Sequence, residues 1–424
     1  MDWQKRALAF STFIFWLIAF PMDGFLLPGD KEEHLMLFFL IPHILSLLSA
    51  GLLAKGKWVD KISQFGVGIS VIATAMFPFI QSAKEILLIF AGIGGAIMII
   101  RSMVILKNSS NPLLSSAWGL SLGNAFVSAL SYIPVYKEIK FFIVAVPLFS
   151  LLFPRHEKIK ENENKETLKG YIPLFFIFYL TGGLFYGSLI SHYNKLVFLK
   201  GLDLFFYVIA APVAAILLKK GRDLPLAVGI VFSMCAFSLF LAASSLSVNL
   251  GMFFIQASYA FVDLYLVYIV ITTNNPIKTA GYLFATVCIA ILGGQMISLY
   301  TQKVSAYLTA AGNIILTVSV LIMYFTGEGR KDTHGVSKDV QDQPLPTAKY
   351  LPRGIQKRLS DKEKSVLQHV IMGKTFRETA EELGISESSV KTYMKRIYEK
   401  TDVKGKGELL EKFSNETDFS MEKT

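Results

Sequence analysis

Lys391, Thr392 and Lys395 lie within little more than one helical turn, two ammonium groups flanking a hydroxyl. Groups of that kind suit the phosphates and base edges of a nucleic-acid duplex. Ser386, Ser388 and Ser389 come just before them, where hydroxyls and the free backbone N–H groups of a helix start can grip a phosphate. Lys400, Lys404 and Lys406 extend the positive side.

Capping and periodicity show which elements must hold these groups. Ser360 is followed three residues later by Glu363, and Thr375 by Glu378, so each hydroxyl can accept from a backbone N–H while each carboxylate reaches back. The first pair opens a helix from Asp361, on which Val366, Leu367, Val370 and Ile371 recur at helical spacing until Gly373. The second pair opens a shorter helix, from about Phe376 to Leu383, which stops at Gly384. A third helix runs from Glu387 to about Lys400, with Val390, Tyr393, Met394 and Ile397 on one face and the lysines pointing away. Helix, glycine turn, helix is the arrangement that sets one helix into a major groove.

From Leu359 to Val403 the chain resembles the LuxR/FixJ-type helix-turn-helix domain of bacterial transcription regulators. The resemblance is carried by Leu359-Ser360, Lys362-Glu363, Val366-Leu367, Gly373, Glu378, Ala380, Leu383, Ile385-Ser386, Ser389-Val390-Lys391, Ile397, Lys400 and Val403. It departs from the pattern at Thr379, Tyr393, Thr401-Asp402 and Lys406. The resemblance implies a small four-helix domain over residues 353–414 that binds double-stranded promoter DNA. It places base contacts at Lys391, Thr392 and Lys395, and a homodimer through a fourth helix from about Lys406 to Phe413. The alternative for the same residues is a plain three-helix bundle with a solvated basic face.

The composition of the whole chain points to a second environment. Of 424 residues, 53% are hydrophobic and only 17% charged, which is not a soluble domain's balance, and the net charge is +10. Apolar windows of about twenty residues, the length that crosses a hydrocarbon layer of roughly 30 Å, fall at about 7–27, 35–54, 64–82, 85–106, 112–133, 139–154, 170–190, 202–218, 223–244, 250–272, 278–299 and 305–326, about twelve in all. The first follows Lys5 and Arg6 and leads into another span, so it reads as an anchor and not as a cleaved signal. With the N-terminus inside, cytoplasmic segments hold Lys55, Lys57 and Lys61, the basic run Arg155 to Lys169, and Lys219, Lys220 and Arg222. The opposite loops hold fewer cations: Lys31, Lys84, Lys137, Lys140, Lys195, Lys200 and Lys303. That bias places both termini in the cytoplasm of a bacterial inner membrane, on the side where DNA is.

The polar run at 155–170 separates two groups of six spans, 1–154 and 170–326. After span two comes GKWVDK (Gly56 to Lys61), and in the corresponding place after span eight comes KKGRD (Lys219 to Asp223). Here the layout is similar to the major facilitator superfamily, whose loop motif is matched at Gly56, Asp60 and Lys61 and lost at Ser63 and Gln64. That resemblance implies a cavity lined by spans one, four, seven and ten, onto which Asp23, Tyr179, Tyr186 and Asp263 could face. Asp263 sits within span ten, where an unpaired carboxylate is costly, so a ligand site and a structural pair are both open. His43, Asn124 and Gln295 are weaker candidates of the same kind, and Arg101 is expected to snorkel to the inner interface. Tyr259, Tyr265 and Tyr268 read as packing residues, and Cys235 and Cys288 as reduced core residues.

Residues 327–352 are polar and aperiodic, a flexible linker, and 415–424 a polar tail. No Walker loop, paired Cys-x-x-Cys, Gly-x-Ser-x-Gly or His-Glu-x-x-His is present, so neither an enzyme nor a cofactor or metal site is expected. The expected whole is all-α: a twelve-span sensor bundle in lipid, a linker, and a DNA-binding domain, together a membrane-bound one-component transcription regulator answering to a small molecule or membrane signal. The alternatives are a secondary transporter with a regulatory DNA-binding tail, and a membrane part that only tethers.

Overall fold

The structure, a computed structural model, describes residues 2–22, 24–27, 35–53, 59–153, 171–199, 201–242, 244–301, 310–319, 321, 359–371, 374–401, 403, 405 and 408–409. The chain divides into two compact units, Met1–Glu328 and Gly329–Thr424, each with its own apolar core.

The first unit is built from α1 (Asp2–Ala19), α2 (Leu35–Leu53), α3 (Val59–Met76), α4 (Lys84–Lys107), α5 (Pro112–Tyr132), α6 (Lys137–Ala145), α7 (Ile172–Leu196), α8 (Leu202–Lys220), α9 (Leu224–Phe240), α10 (Ser245–Thr272), α11 (Pro276–Thr301) and α12 (Ala310–Ser319). By length and composition α2, α4, α5, α8, α10 and α11 can each cross a membrane. Their outward faces agree: Leu52 is 70% exposed and Ile72 64%, among many other large apolar side chains. Such a surface would associate in water and is stable in hydrocarbon.

Helix packing shows an internal repeat. In the first half α1 packs on α5, and α2 and α3 pack on α4; in the second α7 packs on α11, and α8 and α9 pack on α10. Adding six to each label of the first set gives the second. The halves meet through α2 against α11 and α5 against α8, two contacts that the same shift exchanges. At the first of these, a Cβ on Gly281 would lie 2.6 Å from the Gly51 nitrogen and the Leu47 carbonyl oxygen, so the close approach depends on glycine.

Element positions differ from the sequence expectation at several helix ends, α7 running on to Leu196 and α10 beginning at Ser245 among them. α1 begins at Asp2, which pairs with Arg6 at 2.9 Å, and ends at Ala19 instead of running over 7–27. α3 covers Val59–Met76 instead of 64–82; Pro78 disfavours helical geometry in the residue before it. The sixth span passes from α6 into 3-10 turns over Val146–Leu152, where Pro147 has no N–H to continue the ladder. That irregular stretch also overturns the expectation for Arg101. It is buried, 3% exposed, and its Nε donates to the Leu151 carbonyl at 3.4 Å instead of snorkelling. A carbonyl at the end of the 3-10 segment needs a donor, and in lipid water cannot supply one.

In KKGRD, Lys219 and Lys220 close α8, Tyr265 donates to the Asp223 carboxylate, and Arg222 lies over the Tyr171 ring at 5.9 Å. The loop thereby ties α8 and α9 to α10 and the start of α7. The residues of the run at 155–170, the expected linker at 327–352 and the tail at 415–424 lie outside the described residues, as do Gly56 and the side chain of Asp60.

The second unit holds α13 (Asp361–Ile371), α14 (Phe376–Leu383) and α15 (Glu387–Thr401) around Leu359, Val366, Leu367, Val370, Ala380, Val390, Met394, Ile397, Val403 and Leu409. Both capping boxes form. Ser360 N–H donates to Glu363 at 2.8 Å, Thr375 N–H donates to Glu378 at 2.8 Å, and Glu378 N–H donates to the Thr375 hydroxyl at 3.2 Å. Gly384 ends α14 in the left-handed region, φ 64°, and the chain turns directly into α15. Gly373, Lys404 and Lys406 lie outside the described residues, with most of the expected fourth helix.

Candidate nucleic-acid interface and buried cavity

On α15 the buried side, Val390, Met394 and Ile397, fastens the helix to α13 and α14. Lys391, Thr392, Lys395 and Arg396 are exposed. The local chemistry divides the expected contact residues into two kinds. Ser386 caps α15: its hydroxyl accepts from Ser389 N–H at 3.1 Å and lies 2.8 Å from the hydroxyls of Ser388 and Ser389. The three serines therefore order the N-terminus of α15, whose positive end favours a phosphate. Lys391 pairs with Glu387 at 2.8 Å, one turn back, and Thr392 donates to the Ser388 carbonyl at 2.9 Å. An exposed pair of this kind is weak and can be exchanged for a phosphate.

Lys400 is placed otherwise. Its ammonium lies 2.6 Å from Glu363, whose side chain is only 3% exposed, and so bolts α15 to the start of α13. Burial works against charge on Glu363, but the Lys400 ammonium and the Ser360 donors outweigh it and hold the carboxyl below its ordinary range. Arg396 was not picked out from the sequence; the signal was available, a cation directly after Lys395 off the apolar face.

Within the first unit, a cavity of about 400 Å³ lies among α1, α2, α4, α5, α7, α8, α10 and α11. Asp263 lines it, with a hydroxyl on each carboxylate oxygen. Tyr179 donates to Oδ1, and Tyr207 donates to Oδ2 at 2.7 Å. Tyr259 lies beside Tyr179 with the rings stacked, centroids 6.2 Å apart. Gln256 also lines the cavity and donates to Asp203 at 3.0 Å. His43, Asn124, Gln295 and Cys288 face the same space. His43 Nδ1 is 3.0 Å from the Gly92 carbonyl, which can only accept, so the proton sits on Nδ1 and leaves Nε2 as an acceptor.

The structure thus brings Tyr179 and Asp263 together from α7 and α10. Asp23 and the side chain of Tyr186 lie outside the described residues. Tyr207, Gln256 and Asp203 were missed, because partners of a buried carboxylate are set by helix packing and leave no spacing in the sequence. Among the described residues no group of three or more His, Cys, Asp and Glu side chains could hold a metal ion.

Comparison with known proteins follows this division. Residues 357–412 match the family described as GerE, bacterial regulatory proteins, luxR family. No curated protein matches the chain. Among solved structures, a bacterial homologue of the iron transporter ferroportin in its outward-facing state is similar with a TM-score of 0.54 and 16% identity, covering 77% of this chain and 98% of that one. The human organic anion transporter MFSD10 (TETRAN) is similar with a TM-score of 0.54 and 13% identity over 76% and 97%. A Major Facilitator Superfamily transporter, FucP, in the outward conformation gives 0.50 and 12% over 77% and 98%. At these identities the likeness establishes the facilitator fold of the membrane unit and says nothing of cargo. The chain therefore joins a LuxR-type DNA-binding domain to a facilitator-like membrane bundle.

Proposed function

We propose that this chain is a membrane-bound, one-component transcription regulator of the bacterial inner membrane with both termini in the cytoplasm. The C-terminal unit binds promoter DNA as a homodimer, and the facilitator-like unit senses a small molecule in the cavity at Asp263. The observation that carries the reading is the luxR-family match at 357–412 on the same polypeptide as a membrane bundle. The exposed cations of α15, Lys391, Lys395 and Arg396, are the groups that would enter the groove and meet its flanks. Lys400 serves the domain's own packing before it serves DNA.

The test uses the full chain in lipid nanodiscs with promoter fragments recovered by a chromatin pull-down. The parent binds them at low salt, and affinity falls as salt rises because lysines release counterions. Lys391→Ala and Lys395→Ala each weaken binding. If neither change alters binding, or the parent does not bind at low salt, the reading is wrong.

A second reading, a secondary transporter whose DNA-binding tail regulates expression, is favoured by one observation: the cavity keeps a carboxylate at Asp263. It predicts flux into proteoliposomes that survives removal of residues 327–424 and is lost on Asp263→Asn. A sensor binds without net flux.

A further inference from the structure

The lining of the cavity says which kind of molecule it holds. Asp263 is acidic, and neither lysine nor arginine occurs among the described residues that line the space. Its carboxylate already receives two hydroxyl donors, one on each oxygen, from Tyr179 and Tyr207. Each oxygen of an ionised carboxylate has a second acceptor position, so the group can take further donors without losing the tyrosines. Two hydroxyls soften a buried negative charge but do not neutralise it, as a cation in the cavity would.

Three further features point the same way. The rings of Tyr179 and Tyr259 both line the cavity, Tyr179 on the carboxylate itself, and aromatic rings attract an alkylammonium. Gln295 lines the cavity, and its side-chain oxygen is buried with no hydrogen-bond partner, an acceptor that a small side-chain rotation would offer to a donor. His43 Nε2 is a second acceptor on the opposite half, since Nδ1 is engaged with Gly92. Beside the amides of Asn124 and Gln256, most of the remaining described wall is hydrocarbon and aromatic, including Phe10, Phe13, Leu266 and Phe284. A cavity of about 400 Å³ is within the range that encloses a small organic molecule.

We infer that the cavity binds a small organic amine in its protonated form, its ammonium donating to Asp263 and its apolar body lying among the aromatic and aliphatic side chains of the two halves. This rests on the reading of the cavity as the sensing site and adds the ligand's class to it. Among the described lining residues the fixed charge is that of Asp263, and it disfavours carboxylates and phosphates.

The experiment uses the full chain in nanodiscs and three probes of one shape: 2-phenylethylammonium, neutral 2-phenylethanol and anionic phenylacetate, with Mn²⁺ and Na⁺ as further arms. Calorimetry reads binding directly, without DNA. The ammonium probe is expected to bind, with the alcohol and the carboxylate at least about tenfold weaker. Asp263→Asn removes that preference, while Asp263→Glu retains part of it, so a folding defect is separable from loss of charge. Gln295→Leu, which keeps the carboxylate, lowers affinity for the ammonium probe without creating affinity for the anion. Binding of phenylacetate equal to the amine, an unchanged preference in Asp263→Asn, binding of only Mn²⁺ or Na⁺, or no binding by any probe would each overturn the inference. A separate arm measures promoter affinity with and without the amine. Amine binding that leaves promoter affinity unchanged defeats the sensing reading and leaves the ligand class standing; a response to the anion alone does the reverse.

Discussion

Glu363 and Lys400 show how a residue chosen for charge can serve the fold first. Their 2.6 Å pair closes the start of α13 onto the end of α15, and Glu363 also accepts from the Ser360 backbone. Glu363→Gln leaves Lys400 and the cap without their anion and is expected to cost about 1–3 kcal/mol, toward the low end because the Lys400 side chain is 40% exposed. The carboxyl is held below its ordinary range when folded, so the stability it adds is complete above the unfolded value near about 4.3 and is lost as pH falls through the folded value. Urea melts of the C-terminal unit should show parent and Glu363→Gln differing at pH 7 and converging under acid; a gap that widens there would refute the assignment. On the exposed face the expectation is different in kind. Lys395→Ala should weaken all DNA sequences about equally and lower the salt slope by about one if the lysine meets a phosphate, and relax one base preference if it meets a base edge. Titrations against promoter and unrelated fragments at several salt concentrations distinguish the two.

Helices were the most legible level, because their signals are local. The pairs Ser360/Glu363 and Thr375/Glu378 and the stop at Gly384 are short-range chemistry, and α13 to α15 form where those residues put them. Gly384 gives a clean test of such a signal. Its φ is 64° and a Cβ there meets nothing within 4 Å, so Gly384→Ala carries a conformational cost alone, about 1–2 kcal/mol, read as a lower melting midpoint with DNA contacts intact. Long-range partners were not legible. Arg101 reaches a carbonyl exposed by 3-10 turns, and Tyr207 reaches Asp263, through packing between helices distant in sequence. The seam of α2 and α11 belongs to that second class. Gly281→Val places branched carbons against the Leu47 and Gly51 backbone and should destabilise the membrane unit by about 1–3 kcal/mol. Gly68→Ala on α3, with nothing within 4 Å of the added carbon, should leave the thermal midpoint in detergent unchanged or slightly raised.

At the scale of the whole chain the proposal is a coupling between two ligands, an amine in the membrane unit and DNA on the C-terminal unit, and coupling has a quantitative form. A ligand shifts an equilibrium only by the ratio of its affinities for the two arrangements, so a tenfold change in promoter affinity requires a tenfold ratio, about 1.4 kcal/mol. Linkage is reciprocal: if the amine changes promoter affinity by some factor, saturating promoter DNA must change amine affinity by the same factor and in the same direction. The full chain in nanodiscs permits both titrations, 2-phenylethylammonium into the chain with and without promoter, and promoter into the chain with and without the amine. Equal factors above one in either direction establish a regulator. A transporter with an independent tail gives unity in both titrations together with flux, and a simple tether gives unity without flux and keeps regulation when residues 1–326 are replaced by an unrelated anchor. Unequal factors are forbidden for any single binding-competent population and would mean that the two titrations sampled different assemblies, which the expected homodimer on DNA makes measurable by repeating both at two chain concentrations.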